Sequence, residues 1–160
     1  MNIFSVDPSL DGAWALTVDG RSDSAGDMPV FGEANSQQVS APVLANHMRS
    51  FTPDLCVVEF ADALPGKAGA DIFRSGMAYG ATLAVPTVLG VSIELVTPAK
   101  WKQHFNLCGA GGEAGRRKAL DLCPWLAGSL NRNRDNRRAG AVLIGLYAAA
   151  IWNTGRASQE

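Results

Sequence analysis

Cysteine is scarce in this 160-residue chain, and Cys56, Cys108 and Cys123 stand far apart with no C-x-x-C pair. An odd, scattered set supports neither a disulfide framework nor a zinc site. There are only two histidines, His47 and His104, and neither has a partner at useful spacing, so both are read as non-catalytic. Long hydrophobic runs are missing too: the longest, around Ala81 to Val91 and Ala139 to Ile151, are interrupted or shorter than the roughly 20 residues a bilayer span needs. No membrane partner is expected. The opening MNIFSVD enters a strand-like run with no basic segment or cleavable apolar stretch before it, so the expected location is cytoplasmic, bacterial or, for a phage-encoded protein, in the host. No internal repeat and no long linker divides the chain, and its length suits a single domain over residues 1–160.

What is present describes a compact protein with an uneven charge. Apolar residues make up 47% and charged residues 18%, which argues against disorder. The net charge of −1 hides a division: residues 1–64 carry nine acids against Arg21 and Arg49, a balance of −7, and residues 65–160 carry twelve Lys/Arg against six acids, a balance of +6. Such a division permits a basic face for a polyanion, and a merely solvated surface would look the same.

The hydrophobic pattern predicts a mixed α/β sheet. NIFSVD alternates, GAWALTV follows after the turn PSLDG, and a weaker third strand is expected near Met28 to Phe31, giving an antiparallel meander. Gln38 to Ser50 has helical spacing, with Pro42 tolerable only in the first turn. DLCVVEF (Asp54 to Phe60) reads as a strand covered on both faces. After the loop ALPGKAGA a small-residue helix runs from Asp71 to Gly90, which Pro86 is expected to kink or end. VSIELVT (Val91 to Thr97) is a further buried strand, and PAKWKQHF starts a short helix with proline at a favoured first position. Glu113 to Leu122 is a basic helix. The final helix opens with a polar head, NRNRDNRR, and continues as an almost wholly apolar body.

Two acids stand at carboxyl ends of strands expected to be central, Asp7 and Glu59. A carboxylate in an apolar strand must be paired, protonated or metal-bound, and this edge of such a sheet is where sites assemble. For either acid alone, a solvent-facing or turn-capping role is the simpler reading. Asp135 among the arginines of the last helix adds a third. Three converging carboxylates would repel, and a hard divalent ion such as Mg²⁺ or Mn²⁺ would relieve that repulsion.

The segments FSVDPSLDGAWAL, VVEFADALPGK, VTPAKWKQHF and RDNRRAGAVLIGLYAA occur in the order and approximate spacing of the RuvC-type Holliday-junction resolvases, phage and organellar branch, and the chain resembles that family from Asn2 to about Trp152. The resemblance implies a ribonuclease H-like fold, a mixed sheet of about five strands flanked by helices. It also implies a homodimer acting on four-way or branched DNA, and metal-dependent phosphodiester hydrolysis with Mg²⁺ or Mn²⁺ held by Asp7, Glu59 and Asp135. No nucleotide cofactor is implied. DPSLDGAWAL also looks like the phosphate loop of actin-like ATPases, but that architecture needs two such domains. The resemblance assigns DNA-backbone contacts to the basic residues: Arg132, Arg134, Arg137 and Arg138 at the last helix, Arg116, Arg117 and Lys118 in the basic helix, Lys67 and Arg74 after Glu59, and Lys100 and Lys102 in KWK. For each of these a solvated surface role is the competing reading. Phe73, Met77 and Tyr79 are assigned to the core or a dimer interface rather than to base stacking.

The chain departs from the family at one position: where the related branch ends its motif with an acid, this chain has Gly140. Glycine supplies no ligand. Asp11 or Asp62 is then expected to offer a substitute oxygen, or water to do so, and an alternative arises from a different class, a junction-binding protein of the same fold with attenuated or absent catalysis. Residues 135 and 140 cannot share a helix face, so Asp135 is expected at the helix start and position 140 one turn later, pointing inward.

Overall fold

The computed structural model describes residues 1–33, 36–60 and 68–157, with side chains through Trp152. Five strands form one sheet in the order β3-β2-β1-β6-β7: β1 (Asn2–Asp7), β2 (Ala13–Val18), β3 (Arg21–Asp27), β6 (Leu55–Glu59) and β7 (Ser92–Val96). β1, β2 and β3 pair antiparallel, and β6 and β7 join β1 in parallel. A separate two-stranded ribbon pairs β4 (Val30–Phe31) with β5 (Gln38–Val39). The helices are α1 (Ala41–Phe51), α2 (Gly69–Leu89), α3 (Pro98–His104), α4 (Gly112–Leu122), α5 (Ala127–Leu130) and α6 (Asn136–Ala157). Among the described residues no helix is long and apolar enough to cross a membrane.

The strand expected at Met28 to Phe31 is not the third sheet strand. Asp19 (φ 48°) and Gly20 (φ 81°) both have positive φ, and Val18 pairs directly with Arg21, so a two-residue Asp-Gly hairpin starts β3 at once. That geometry matches the right-handed twist of the flanking strands. β3 (RSDSAGD) is too polar to show a strand pattern by hydropathy, since it is held at the sheet edge by main-chain pairing. α1 begins at Ala41, which puts Pro42 in its first turn, as required. Pro86 does not end α2 at its own position: it lies in the last turn, and the helix closes at Gly90, whose backbone is left-handed (φ 69°).

Alternation along the central strands sends side chains into two cores. Phe4, Val6, Cys56 and Val58 face α1 and α2, and pack with Leu44, Met48, Ala78 and Val85. Ile3, Leu55 and Val57 face α6 and pack with Ala139, Val142 and Leu143. The α6 face carries small polar residues, Ser5 and Thr17, both fully buried, and the Ser5 hydroxyl donates to the Ala141 carbonyl at 2.7 Å. α6 comes this close because of Gly145, where an added Cβ would lie 2.5 Å from Thr17 Oγ1 and 2.8 Å from Ser5 Oγ. At Gly140 an added Cβ meets nothing within 4 Å.

The two glycines of α6 should therefore respond oppositely to alanine. Gly140→Ala should raise stability by about 1 kcal/mol, the propensity difference in a helix interior. Gly145→Ala gains the same term but overpacks a buried contact, which typically costs 1 to 3 kcal/mol, so its net effect should be a loss of about 1 kcal/mol. Urea unfolding of the two variants beside the parent measures both signs.

Candidate active site

The site begins with strand register. Ser5 pairs with Val57 and Val6 with Val58 in parallel, so the next residues, Asp7 and Glu59, end neighbouring strands. Adjacent strands lie about 4.8 Å apart, and both acids share the parity of the α6-facing residues. The two carboxylates are thus delivered side by side beneath the start of α6. They line one cleft of about 360 Å³ together with Trp101 and Lys102 of α3, Gly111 and Gly112 at the start of α4, and Asn136, Arg137, Gly140 and Ile144 of α6. Asn136, Gly140 and Ile144 recur at four-residue intervals, which makes them one stripe of the helix.

Each acid has its own anchor. Asp7 is 7% exposed; it accepts from the Ser9 hydroxyl at 2.8 Å and from Arg137 Nη1 at 3.2 Å. Arg137 Nη2 reaches Asp11 Oδ2 at 3.3 Å, so one guanidinium bridges the two aspartates. Glu59 accepts from the indole Nε1 of Trp101 at 2.6 Å. Burial pushes the Glu59 carboxyl above its ordinary value, the Trp101 hydrogen bond opposes this, and the charge of Asp7 adds to it.

Asp135 does not join them. It is 1% exposed, absent from the cleft lining, and occupied by Arg132: its Oδ2 accepts from the Arg132 backbone N–H at 2.9 Å and its Oδ1 from Arg132 Nη2 at 2.9 Å. This is a capping box across the short 3₁₀ turn Asn133–Asp135 that leads into α6. The Arg132 hydrogen bond holds the Asp135 carboxyl below the usual range, although burial opposes it. The physical reason for its position is angular: successive residues of the turn and helix point to different sides. Arg137 and Gly140 face β1 and β6, whereas Asp135 lies toward Arg138, which grips Asp27 of β3 with two contacts of 2.6 Å. The expected inward position of residue 140 is where the structure puts it.

The basic residues separate in the same way. Arg137 and Lys102 line the cleft. Lys100 points into a different depression, between β7 and the end of α6. Arg116 is tied to Glu113 and to the Leu130 carbonyl, Arg117 to Glu113, Arg74 to Asp71, and Arg132 and Arg138 to the acids already named. Arg134 is exposed and Lys118 half-buried. Lys67 and Asp62 lie outside the described residues. Asp11 is 75% exposed and engaged by Arg137. Phe73 and Met77 are exposed on α2 rather than in the core, and the Tyr79 ring meets Phe60 edge-on.

Trp101, the middle residue of KWK, is not legible as a site residue in the sequence, since an indole between two lysines carries no sign of its carboxylate partner Glu59. The same holds for Asn136, whose Oδ1 is buried with no hydrogen-bond partner. No periodicity or charge pattern marks that residue.

The family that the sequence resembles implies a divalent-metal centre, and among the described residues the acids of the cleft, Asp7 and Glu59, do not fit one built on two ions. Among the described residues no group of three or more His, Cys, Asp or Glu converges on a common point. The two acids in the cleft share it with an arginine already paired to one of them.

The same fold occurs in solved structures. RuvC of T. thermophilus in complex with a Holliday junction substrate superimposes with a TM-score of 0.68 at 16% identity, covering 97% of both chains. A second Thermus thermophilus RuvC structure gives 0.62 at 17% identity and the same coverage. The yeast mitochondrial Holliday junction resolvase gives 0.55 at 9% identity, covering 98% of this chain and 85% of that one. No protein-family model matches the chain, and no curated protein matches it by sequence. The architecture is that of the RuvC-type resolvases.

Two carboxylates in opposite environments give opposite pH behaviour. A raised Glu59 pKa means that the folded state binds more protons, so stability is lost as pH rises from the ordinary carboxylate range through the raised value. Glu59→Gln removes that loss: it should melt higher than the parent at neutral pH, with the difference vanishing near about pH 4, where free carboxyls protonate. Asp135, whose folded pKa is depressed, stabilises above the ordinary range and loses that contribution as pH falls through its lowered value. Asp135→Asn should therefore cost about 1 to 2 kcal/mol at neutral pH, the usual worth of a helix cap, and less in acid. Thermal melts from acid to neutral pH test both.

Proposed function

We propose that the protein acts on four-way or otherwise branched DNA as a homodimeric, structure-selective endonuclease of the resolvase type, its cleavage attenuated by an incomplete site. The observation that carries this reading is the pairing of Asp7 with Glu59 at adjacent strand ends beneath α6, in a fold shared with a RuvC bound to a Holliday junction. Lys102 and Arg137 give the cleft positive charge for a phosphodiester backbone, and Arg134, in the turn before α6, is exposed to solvent. Arg116, Arg117, Lys118, Arg132, Arg138, Arg74, Lys100 and Lys67 are assigned a secondary, longer-range electrostatic role. The exposed apolar side chains of α2, Ile72, Phe73 and Met77, supply the surface we assign to subunit pairing.

The chain's own residues define what the cleft can do. Trp101 fixes Glu59, Ser9 and Arg137 fix Asp7, and the open space over Gly140 leaves room for a strand to approach. Mg²⁺ or Mn²⁺ is the cofactor implied by the fold, and among the described residues the cleft offers it Glu59 and an Asp7 that is shared with Arg137. Attenuation follows because no third acid lines the cleft among the described residues. The stronger form, a junction-binding protein that does not cut, is favoured by one observation: the Arg137 guanidinium contacts Asp7, so the acid is already neutralised by a protein cation.

A gel-shift competition between a synthetic four-way junction and linear duplex tests the binding half. The junction should win, and its affinity should fall steeply with salt as counterions are released from each neutralised phosphate. Equal affinity for both would refute the assignment. For the cleavage half, Gly140→Glu adds a carboxylate to the lining of the cleft at a position where an added Cβ meets nothing within 4 Å. Nicking in Mg²⁺ should rise by about tenfold or more over the parent, the change expected from about 1.4 kcal/mol of barrier. A parent that already cuts at the variant's rate would show that another residue completes the site.

A further inference from the structure

We propose that Arg137 is a resident cation of the cleft, held between Asp7 and Asp11, which excludes a divalent ion from Asp7 and itself receives the DNA backbone phosphate, so that junction binding needs no metal. This rests on the reading of the cleft as a DNA site.

Geometry supports both halves. Asp7 accepts from Ser9 on Oδ1 and from Arg137 on Oδ2; its carboxylate keeps further lone pairs, so what stands against a metal ion there is the guanidinium charge seated on Oδ2. Arg137 is not a stray surface cation. Its Nη1 and Nη2 each reach a different aspartate, so the fork links the buried Asp7 of the cleft to the exposed Asp11 outside its lining. A divalent ion approaching Asp7 would meet a fixed positive charge at contact range, a repulsion in place of the attraction that two bare acids would give.

The same side chain has capacity to spare. A guanidinium carries five N–H donors in a planar fork suited to phosphate, and the contacts with Asp7 and Asp11 leave others for a further acceptor. Its side chain is half exposed, so an incoming anion can reach it. Lys102, from α3, lines the same cleft and adds a second positive charge from another element. The acids that face this cluster are Asp7, Glu59 and Asp11; a phosphate must therefore approach along the arginine and lysine side. One cationic side chain thus performs the neutralisation that a metal would otherwise perform, with no capacity to activate water.

Two measurements on the full-length protein test the idea. Without DNA, Mn²⁺ binding is followed by the electron paramagnetic resonance signal of the free ion for the parent, Arg137→Gln and Arg137→Ala, with circular dichroism melts to verify folding. Both variants should bind Mn²⁺ at least about tenfold more tightly than the parent, because a like charge at contact range has been removed. Equal affinity in parent and folded variants overturns the exclusion of metal by Arg137. Separately, four-way junction binding by the parent is compared in EDTA and in Mg²⁺ at matched ionic strength, which needs no variant. Affinity should agree within about twofold, and Arg137→Gln should lower the slope of log affinity against log salt by about one, the loss of a single phosphate contact. Binding that collapses in EDTA overturns the phosphate-holding role. A parent that shows no preference for junctions under either condition refutes the functional reading instead, while the Mn²⁺ titration, run without DNA, still decides the cation assignment.

Discussion

Two carboxylates at the ends of adjacent parallel strands, on the same face of the sheet, form an electrostatic problem that the rest of this molecule is arranged around. Asp7 and Glu59 are brought together by the β1–β6 pairing beneath the start of α6, Asp7 buried and Glu59 half-buried in the wall of one cleft. Like charges in such a place must be screened, protonated or bridged by a cation. The structure uses a different device for each: Asp7 has an arginine from α6, and Glu59 has an indole donor from α3 and a carboxyl pushed toward its neutral form.

α6 is the element that imposes this arrangement. It lies directly on β1 and β2 because Gly145 removes the side chain that would hold it away, and the Ser5 hydroxyl ties strand to helix through the Ala141 carbonyl. With the helix axis fixed, its first turn must hang over the strand ends. The turn before it is fixed by Asp135, whose buried carboxylate binds the Arg132 backbone and side chain. A helix beginning with one aspartate among four arginines therefore divides the labour. Asp135 caps, Arg138 locks onto Asp27, and Arg137 faces the cleft.

Much of the framework could be read from residue patterns. The strands at Asn2–Asp7 and Leu55–Glu59 announce themselves by alternation and by a continuous apolar run, and the proline positions bound α1 and α3 as expected. β3 escaped because hydropathy says little about a polar edge strand. The Asp19-Gly20 pair was the available signal, since it demands the positive φ of a tight hairpin. Trp101 escaped because an indole is ordinarily a core residue, and only the folded chain brings its N–H to Glu59.

What the sequence by itself determined was the α/β pattern, the strand-end acids Asp7 and Glu59, the concentration of positive charge in the second half, and the glycine at position 140. These follow from periodicity, composition and the intrinsic cost of burying a carboxylate. Only the tertiary structure decided which acids meet. Asp7 and Glu59 lie 52 positions apart and become neighbours through parallel register, whereas Asp135, two positions before Arg137, is turned to the other side of the helix start. Side-chain direction at a helix entry changes by roughly 100° per residue, so a type of residue in a motif fixes its chemistry but not the space it faces. That angle, set by how α6 is anchored on the sheet, put an arginine in the cleft and left the aspartate as a cap.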